Sequence, residues 1–324
     1  MKKTLLFTGF IIAVFFQTSL WAFTVPAPLI DTTWLKANKN KVVILDIRKD
    51  TKSFTKQPVF KTNKKTKKKK LVRVGGHIPG SALVPYKQVR SKQVIDGKKV
   101  SKMLPDKKIF EKILQKAGVN KGDAIVIVTK GQNNGDITIA TRFYWQMKYY
   151  GFTNMAILDG GVADWIVSGN NISSKAKKIK KGNWTSTALQ PDVLASSTDV
   201  QQAINNKAQL IDNRNISQYL GTWKKSYVYA KGHIPTAKNY PTEILTSTKI
   251  PAKFLPLKSL KTLNTALGID SNAPTITYCN SGHLATGSWF VMSELMGNKN
   301  VKMYDGSMHQ WTLEKRPVKS MIVE

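Results

Sequence analysis

Two hydrophobic patterns alternate along the chain. Val42-Val43-Ile44-Leu45 and Ala124-Ile125-Val126-Ile127-Val128 are short unbroken apolar runs, the pattern of parallel strands buried on both faces. Ile137 to Tyr150 reads as the helix that follows the second run. Pro274 to Tyr278 is a further β-forming run, and Ala285 to Met296, apolar and free of proline, reads as its helix. Strands alternating with helices predict an α/β fold, a mainly parallel sheet flanked by helices. In such folds ligands gather at the carboxyl ends of the strands.

The pattern runs twice, with a period of roughly 150 residues. Ile44-Leu45-Asp46-Ile47-Arg48 returns as Leu210-Ile211-Asp212-Asn213-Arg214. Gly76-His77-Ile78-Pro79 returns as Gly232-His233-Ile234-Pro235, and Leu158-Asp159-Gly160-Gly161 with Trp165 returns as Tyr304-Asp305-Gly306-Ser307 with Trp311. In each copy the last motif begins seven residues after a glycine, Gly151 or Gly297. We therefore expect two tandem domains, residues 23–170 and 191–324, joined by a polar linker over 171–190. The stretch between the first two motifs is about ten residues longer in the first copy and carries Lys64-Lys65-Thr66-Lys67-Lys68-Lys69-Lys70, which reads as a flexible surface insertion.

Charge and leader narrow the setting. The chain has 51 Lys+Arg against 19 Asp+Glu, a formal +32. Nucleic-acid binding is the sharp reading of such an excess. The lysines are spread along the whole chain and no nucleic-acid-binding motif stands out, so a solvated basic surface with no nucleic-acid partner is expected. Lys2 and Lys3, the apolar run Leu5 to Phe16 and Ser19-Leu20-Trp21-Ala22 resemble a secretory signal over residues 1–22. An uncleaved anchor is the alternative, but the run is short of the roughly 20 residues that span a bilayer. The expected product is periplasmic or secreted, monomeric, and without stable membrane insertion once the signal is cleaved.

Cys279 is the single cysteine and cannot form a disulfide within the chain. It falls where the Pro274–Tyr278 strand turns into the Ala285–Met296 helix. Unpaired N–H groups and the helix dipole gather at such a turn, conditions that make a thiolate available as a nucleophile. A small buried hydrophobe is the bland alternative. The repeat acts as an internal control. Asp46/Asp212, Arg48/Arg214, His77/His233 and Trp165/Trp311 recur, so they are expected to serve the fold: the Asp/Arg pairs as braces, each histidine as an organiser of its His-Ile-Pro turn. Cys279, Asn280, Ser281, His283, Ser307 and His309 stand in the second copy only. The first copy has Val128-Thr129-Lys130-Gly131 instead, in a loop four residues longer if Ala140 matches Ala285.

These motifs together resemble the tandem-domain rhodanese, or sulfurtransferase, family over nearly the whole chain after the leader. The Asp-x-Arg strand ends, the Gly-His-Ile-Pro turns and Tyr304-Asp305-Gly306-Ser307 carry the resemblance. It implies an inactive first domain and a second domain whose active loop is Cys279, Asn280, Ser281, Gly282, His283, Leu284 and Ala285, facing the interdomain cleft. Arg214 is a candidate for substrate binding beside it. The phosphatase branch of the fold would need an arginine at 285, where alanine stands. The implied reaction moves sulfane sulfur from a small anionic donor, thiosulfate by default, through a Cys279 persulfide to cyanide or a thiol. The alternatives are 3-mercaptopyruvate as donor, or a persulfide carrier without turnover. No metal or organic cofactor is implied.

Substrate positions depart from the family. Asn280 and Ser281 replace the basic pair of thiosulfate-preferring relatives, and Ser281 matches half of the Gly-Ser of mercaptopyruvate-preferring ones. In the latter a first-domain histidine, matched by His77, assists the serine. Gln218 stands where relatives carry an arginine for the donor, with Lys224 or Lys225 as replacement charges. His283 is a candidate source of positive charge beside the thiolate, or a donor ligand, and His309 is a weaker one.

Overall fold

The computed structural model describes residues 23–322, so the leader read at residues 1–22 lies outside the described residues. The first repeat opens with β1 (Leu29–Ile30), α1 (Thr32–Asn38) and β2 (Val43–Arg48). A hairpin of β3 (Val59–Thr62) and β4 (Lys69–Arg73) follows, then β5 (Ala82–Pro85). A second hairpin, β6 (Ser91–Ile95) and β7 (Lys98–Met103), leads to α2 (Lys107–Lys116), β8 (Ile125–Val128), α3 (Asn134–Tyr149), β9 (Met155–Leu158) and α4 (Gly161–Val167). The second repeat runs β10 (Leu194–Ala195), α5 (Ser197–Asn205), β11 (Gln209–Asp212), α6 (Ile216–Leu220), β12 (Lys238–Asn239) and α7 (Leu257–Ala266). It closes with β13 (Thr275–Tyr278), α8 (Ala285–Phe290), β14 (Val301–Tyr304) and α9 (Ser307–Leu313).

Each repeat builds a five-stranded parallel sheet in the same order: β1-β9-β8-β2-β5 and β10-β14-β13-β11-β12. Helices cover both faces, which is why the central strands are buried at every position and read as unbroken apolar runs. Each sheet has its own outer core, one around Leu35, Val126 and Trp165, the other around Val200, Tyr278 and Trp311. The inner faces share a single larger core that runs from Ile127 and Phe143 in the first repeat to Trp289 and Phe290 in the second. The equivalent helices α3 and α8 meet in it, with the Tyr144 ring edge-on to Phe290 at 5.0 Å and Thr141 Oγ1 2.9 Å from Thr286 Oγ1. Burying side chains of this size stabilises by roughly 1.5–3 kcal/mol each, so the two repeats fold against each other and not merely in tandem.

The recurring motifs do the same structural work twice. Arg48 is clamped by Asp46 and donates to the Gly76 carbonyl at 2.7 Å; Arg214 is clamped by Asp212 and donates to the Gly232 carbonyl at 2.8 Å. The His77 ring stacks on Phe54 at 3.7 Å, and His233 stacks on Tyr219 at 3.8 Å. Trp165 and Trp311 each donate an indole N–H to a carbonyl six residues on.

Three sequence expectations change. The 171–190 segment is irregular but is no free linker: Trp184 is buried, Gly182 and Trp184 donate to the carbonyls of Gln115 and Val119, and Ser173 bridges to His77. Its few apolar residues anchor a stretch whose average composition is polar. The lysine-rich insertion forms the β3–β4 hairpin, in which Lys61 faces Lys70. The extra residues of the first copy's strand-to-helix connection are helical, because Asn133 caps α3 by accepting the Asp136 N–H and starts the helix three residues before Ile137. On the second repeat α8 continues after Phe290 as a π-helical turn, Val291–Leu295. No helix among the described residues is long and apolar enough to cross a membrane.

Candidate active site

β13 ends at Tyr278, in register with Asp212, and delivers Cys279 to the carboxyl edge of the sheet. The chain then loops through Asn280–Leu284 and enters α8. The start of α9 holds the loop from below: Met308 N–H and His309 N–H donate to the carbonyls of Cys279 and Asn280, both at 3.0 Å. In the first repeat Val162 and Ala163 make the same bonds to Thr129 and Lys130, so Thr129 occupies the position of Cys279. The cysteine is therefore an addition to a framework that stands without it.

Ser307 separates the two copies further. Its backbone lies in the left-handed region at φ 51°, like its counterpart Gly161 at φ 55°. A serine there is disfavoured, yet its hydroxyl accepts the N–H groups of Cys279 (3.1 Å) and Gly282 (3.0 Å) and donates to the Tyr304 carbonyl. Gly282, at φ +64°, has no room for a side chain: a Cβ would lie 2.5 Å from Asp305 Oδ1. The N–H groups of Asn280, Ser281, His283 and Leu284 make no hydrogen bond within the described residues and remain available to an anion. Ser307→Ala orphans two loop N–H groups at about 1–3 kcal/mol. Hydrogen exchange at Cys279 and Gly282 is expected to quicken by roughly tenfold or more in that variant, and unchanged protection would contradict the pinning role.

The first repeat completes the loop. Arg142 of α3 is fully buried, donates to the Gly282 carbonyl at 2.8 Å and pairs with Asp305 at 2.5 Å. Asp305 also accepts the Leu104 N–H at 2.8 Å. Arg90 donates to the Ser281 carbonyl, the Tyr86 hydroxyl and the Lys102 carbonyl. Cys279, 1% exposed, sits at the floor of a cleft of about 690 Å³ between the repeats. The cleft is lined by Lys49, Lys87, Arg90, Lys92, Lys102 and Lys225, with Tyr86 and Tyr227 among the walls, and no carboxylate of the described residues borders it. Burial, then the neighbouring Arg90, lowers the pKa of both Lys49 and Lys102.

His283 lines this cleft, but not as a cation. Burial first, then Lys49, Arg90 and Arg142, pushes its pKa well below the usual 6.5, and its Nε2 sits 3.1 Å from Thr138 Oγ1. A neutral imidazole corrects the expectation of positive charge beside the sulfur. The unfolded chain takes up a proton near pH 6.5 that the folded chain refuses, so stability falls as pH drops below that value. The stability advantage of wild type over His283→Gln, measured by urea unfolding, is expected to shrink from pH 7.5 to pH 5. A constant difference would contradict the neutral state of a half-buried imidazole.

The other sequence candidates divide. Gln218 is buried and its Oε1 accepts the Asn280 side-chain N–H at 2.6 Å, so it orders the loop. Arg214 does not line the cleft: burial opposes its charge, but Asp212 outweighs that and holds the guanidinium, which is therefore a brace. His77 does not reach the cleft either, since its Nδ1 contacts the Phe54 carbonyl at 2.8 Å. His309 lies beneath the loop, edge-on to Tyr227 at 5.4 Å, with its pKa lowered by burial. Lys225 lines the cleft and Lys224 does not. Sequence reasoning missed Arg90, Lys102 and Arg142. The first two belong to the β6–β7 hairpin and its approach, and Asp96-Gly97 between polar and apolar alternation was a legible hairpin signal.

A family model described as "Rhodanese-like domain" matches residues 31–168 and 196–314. A "Putative thiosulfate sulfurtransferase" of Saccharopolyspora erythraea is 27% identical over 292 residues, 88% of this chain and 92% of that protein. "Sulfur carrier protein TtuD" of Thermus thermophilus is 26% identical over 246 residues, 73% of this chain and 82% of that one. Among solved structures, SseA of Escherichia coli, described with the 3-mercaptopyruvate sulfotransferases, superposes with a TM-score of 0.67 at 22% identity. That match covers 87% of this chain and 98% of SseA, and Tum1 of Saccharomyces cerevisiae gives 0.71 at 19% over 92% and 99%. These likenesses bear on the fold.

Proposed function

The chain belongs to the rhodanese-like domain family, and from that membership we propose that it is an exported sulfurtransferase that carries sulfane sulfur on Cys279, with thiosulfate as donor and cyanide or a thiol as acceptor. One observation carries the reading: the single cysteine ends a central strand at the floor of a cleft whose charged side chains are all cationic. The S. erythraea relative's name agrees with it.

In the first half-reaction the Cys279 thiolate attacks the outer sulfur of thiosulfate. The sulfur–sulfur bond of the donor breaks, sulfite leaves with the bonding pair, and the enzyme holds a persulfide anion. In the second, cyanide attacks the terminal sulfur, thiocyanate leaves, and the thiolate returns. Charge is conserved in both halves, and no proton need be transferred. The first encounter brings a dianion to an anion, and this repulsion is the main electrostatic obstacle. A cation about 5 Å from an anion contributes roughly 3 kcal/mol at an effective dielectric near 20, so two or three cleft cations suffice to offset it. The unpaired loop N–H groups suit the terminal sulfur anion. His77, held in its turn, supports thiosulfate over a donor that relies on a serine–histidine pair.

Purified protein is expected to form thiocyanate from thiosulfate and cyanide, with a lower kcat/KM for 3-mercaptopyruvate. Persulfidation without turnover would favour a carrier role of the kind the T. thermophilus relative's name describes. Absence of both turnover and persulfide would overturn the proposal.

A further inference from the structure

The donor's charged group needs a partner, and of the cationic side chains that line the cleft only Lys225 comes from the second repeat. Gln218 and Asn280 bond to each other, so neither amide is free to turn toward a donor without breaking a buried hydrogen bond. Arg214 is held by Asp212 and the Gly232 carbonyl. The first repeat presents the opposite picture. Lys49 follows Arg48 at the end of β2, and Lys102 lies in β7 with its backbone in the left-handed region at φ 67°. Both line the cleft that holds Cys279, and among the described residues neither forms an ion pair. Each instead lies against an aromatic face: Lys49 over Tyr86 at 5.6 Å, Lys102 over Tyr227 at 3.5 Å.

The carboxylates nearby are engaged elsewhere. Asp46 and Asp212 clamp their arginines, and Asp305 clamps Arg142. Asp136, whose field reaches Lys49, is buried and accepts the Gln132 N–H. Lys49, Lys102, Arg90 and Lys225 therefore repel one another across a partly buried cleft with no counter-charge among the described residues of its wall. Such an arrangement is stable only when its repulsion is offset elsewhere, and it is relieved by an anion entering the cleft.

We infer that the anionic group of the sulfur donor is recognised mainly by the repeat that lacks the cysteine, through Lys49 and Lys102 with Arg90 beside them and Lys225 of the second repeat facing them, and that this subsite selects small dianionic oxyanion donors over monoanionic ones. The inference rests on the sulfurtransferase reading for the identity of the donor. The anion subsite itself does not depend on turnover.

Two measurements test it on the full chain. In kinetics, Lys49→Gln/Lys102→Gln is expected to raise KM for thiosulfate at least tenfold with kcat within about twofold, and to flatten the salt dependence of kcat/KM. Lys261→Gln, on the exposed face of α7 and not among the residues that line the cleft, is expected to change neither. In binding, thiosulfate is expected to raise the unfolding temperature of Cys279→Ser protein, and this shift is expected to vanish when the two lysine substitutions are added. Unchanged KM and an unchanged thermal shift in the double variant would overturn the inference. If wild type does not turn over thiosulfate but the shift is present and depends on the two lysines, the subsite stands and the sulfurtransferase reading fails.

Discussion

Cys279→Ser is expected to abolish thiocyanate formation from thiosulfate and cyanide, a loss of roughly a thousandfold or more, while the protein folds normally. The chemical reason is the nucleophile. A serine hydroxyl stays protonated at neutral pH and offers a hard oxygen to a soft sulfur, so the new bond would be sulfur–oxygen and not a persulfide. The structural reason for an intact fold is that residue 279 is held by backbone bonds: its N–H to Ser307 and its carbonyl to Met308. Thr129 stands in the equivalent place of the first repeat with the matching bond from Val162, so a hydroxyl residue is compatible with this strand end. Mass spectrometry after incubation with thiosulfate should find one added sulfur on wild type and none on Cys279→Ser. Residual turnover above a few per cent would mean that another group carries the sulfur, and Cys279 would revert to a buried hydrophobe.

The contrast between Cys279 and Arg142 shows what the sequence could convey. Parallel strands buried on both faces leave unbroken apolar runs, and a duplicated fold repeats its braces, so the sheets, the repeat and the cysteine's strand end were readable without coordinates. Asp-x-Arg and Gly-His-Ile-Pro were readable as structural for the same reason, because they stand in the copy that has no cysteine. Arg142 was not readable. It lies in the middle of a helix, among residues whose pattern says only that the helix is buried, and its partner Asp305 is 163 positions away. A contact of that separation exists only after the two repeats dock. Arg90 and Lys102 were hidden differently, because one basic residue among 51 Lys+Arg carries little information until the fold shows which of them border the cleft. The neutrality of His283 is likewise a property of burial, which a loop position beside a cysteine does not reveal.

Asp305→Asn is expected to destabilise the protein by about 3–5 kcal/mol and to impair turnover even though residue 305 does not line the cleft. Asp305 answers two donors from the first repeat, the Arg142 guanidinium and the Leu104 N–H, with its two carboxylate oxygens. An asparagine of the same shape can accept only one of them, and its NH₂ group must then face the other donor. The larger loss is charge. Arg142 is fully buried, and its Nε and Nη2 lack hydrogen-bond partners among the described residues, so removing Asp305 leaves a guanidinium with one carbonyl and the Trp145 ring face beside it. That carbonyl belongs to Gly282, beside which Asp305 and Arg142 fill the space a side chain would need. The active loop should therefore loosen together with the interface between repeats. Urea unfolding and thiosulfate turnover check the two effects, and Arg142→Leu combined with Asp305→Asn separates their causes. The double variant is expected to recover a substantial part of the lost stability, because no unpaired charge remains, but not the turnover, because nothing then holds the Gly282 carbonyl. An Asp305→Asn protein as stable as wild type would show that the pair is incidental. Full recovery of turnover in the double variant would show that the cysteine loop holds its shape without the first repeat.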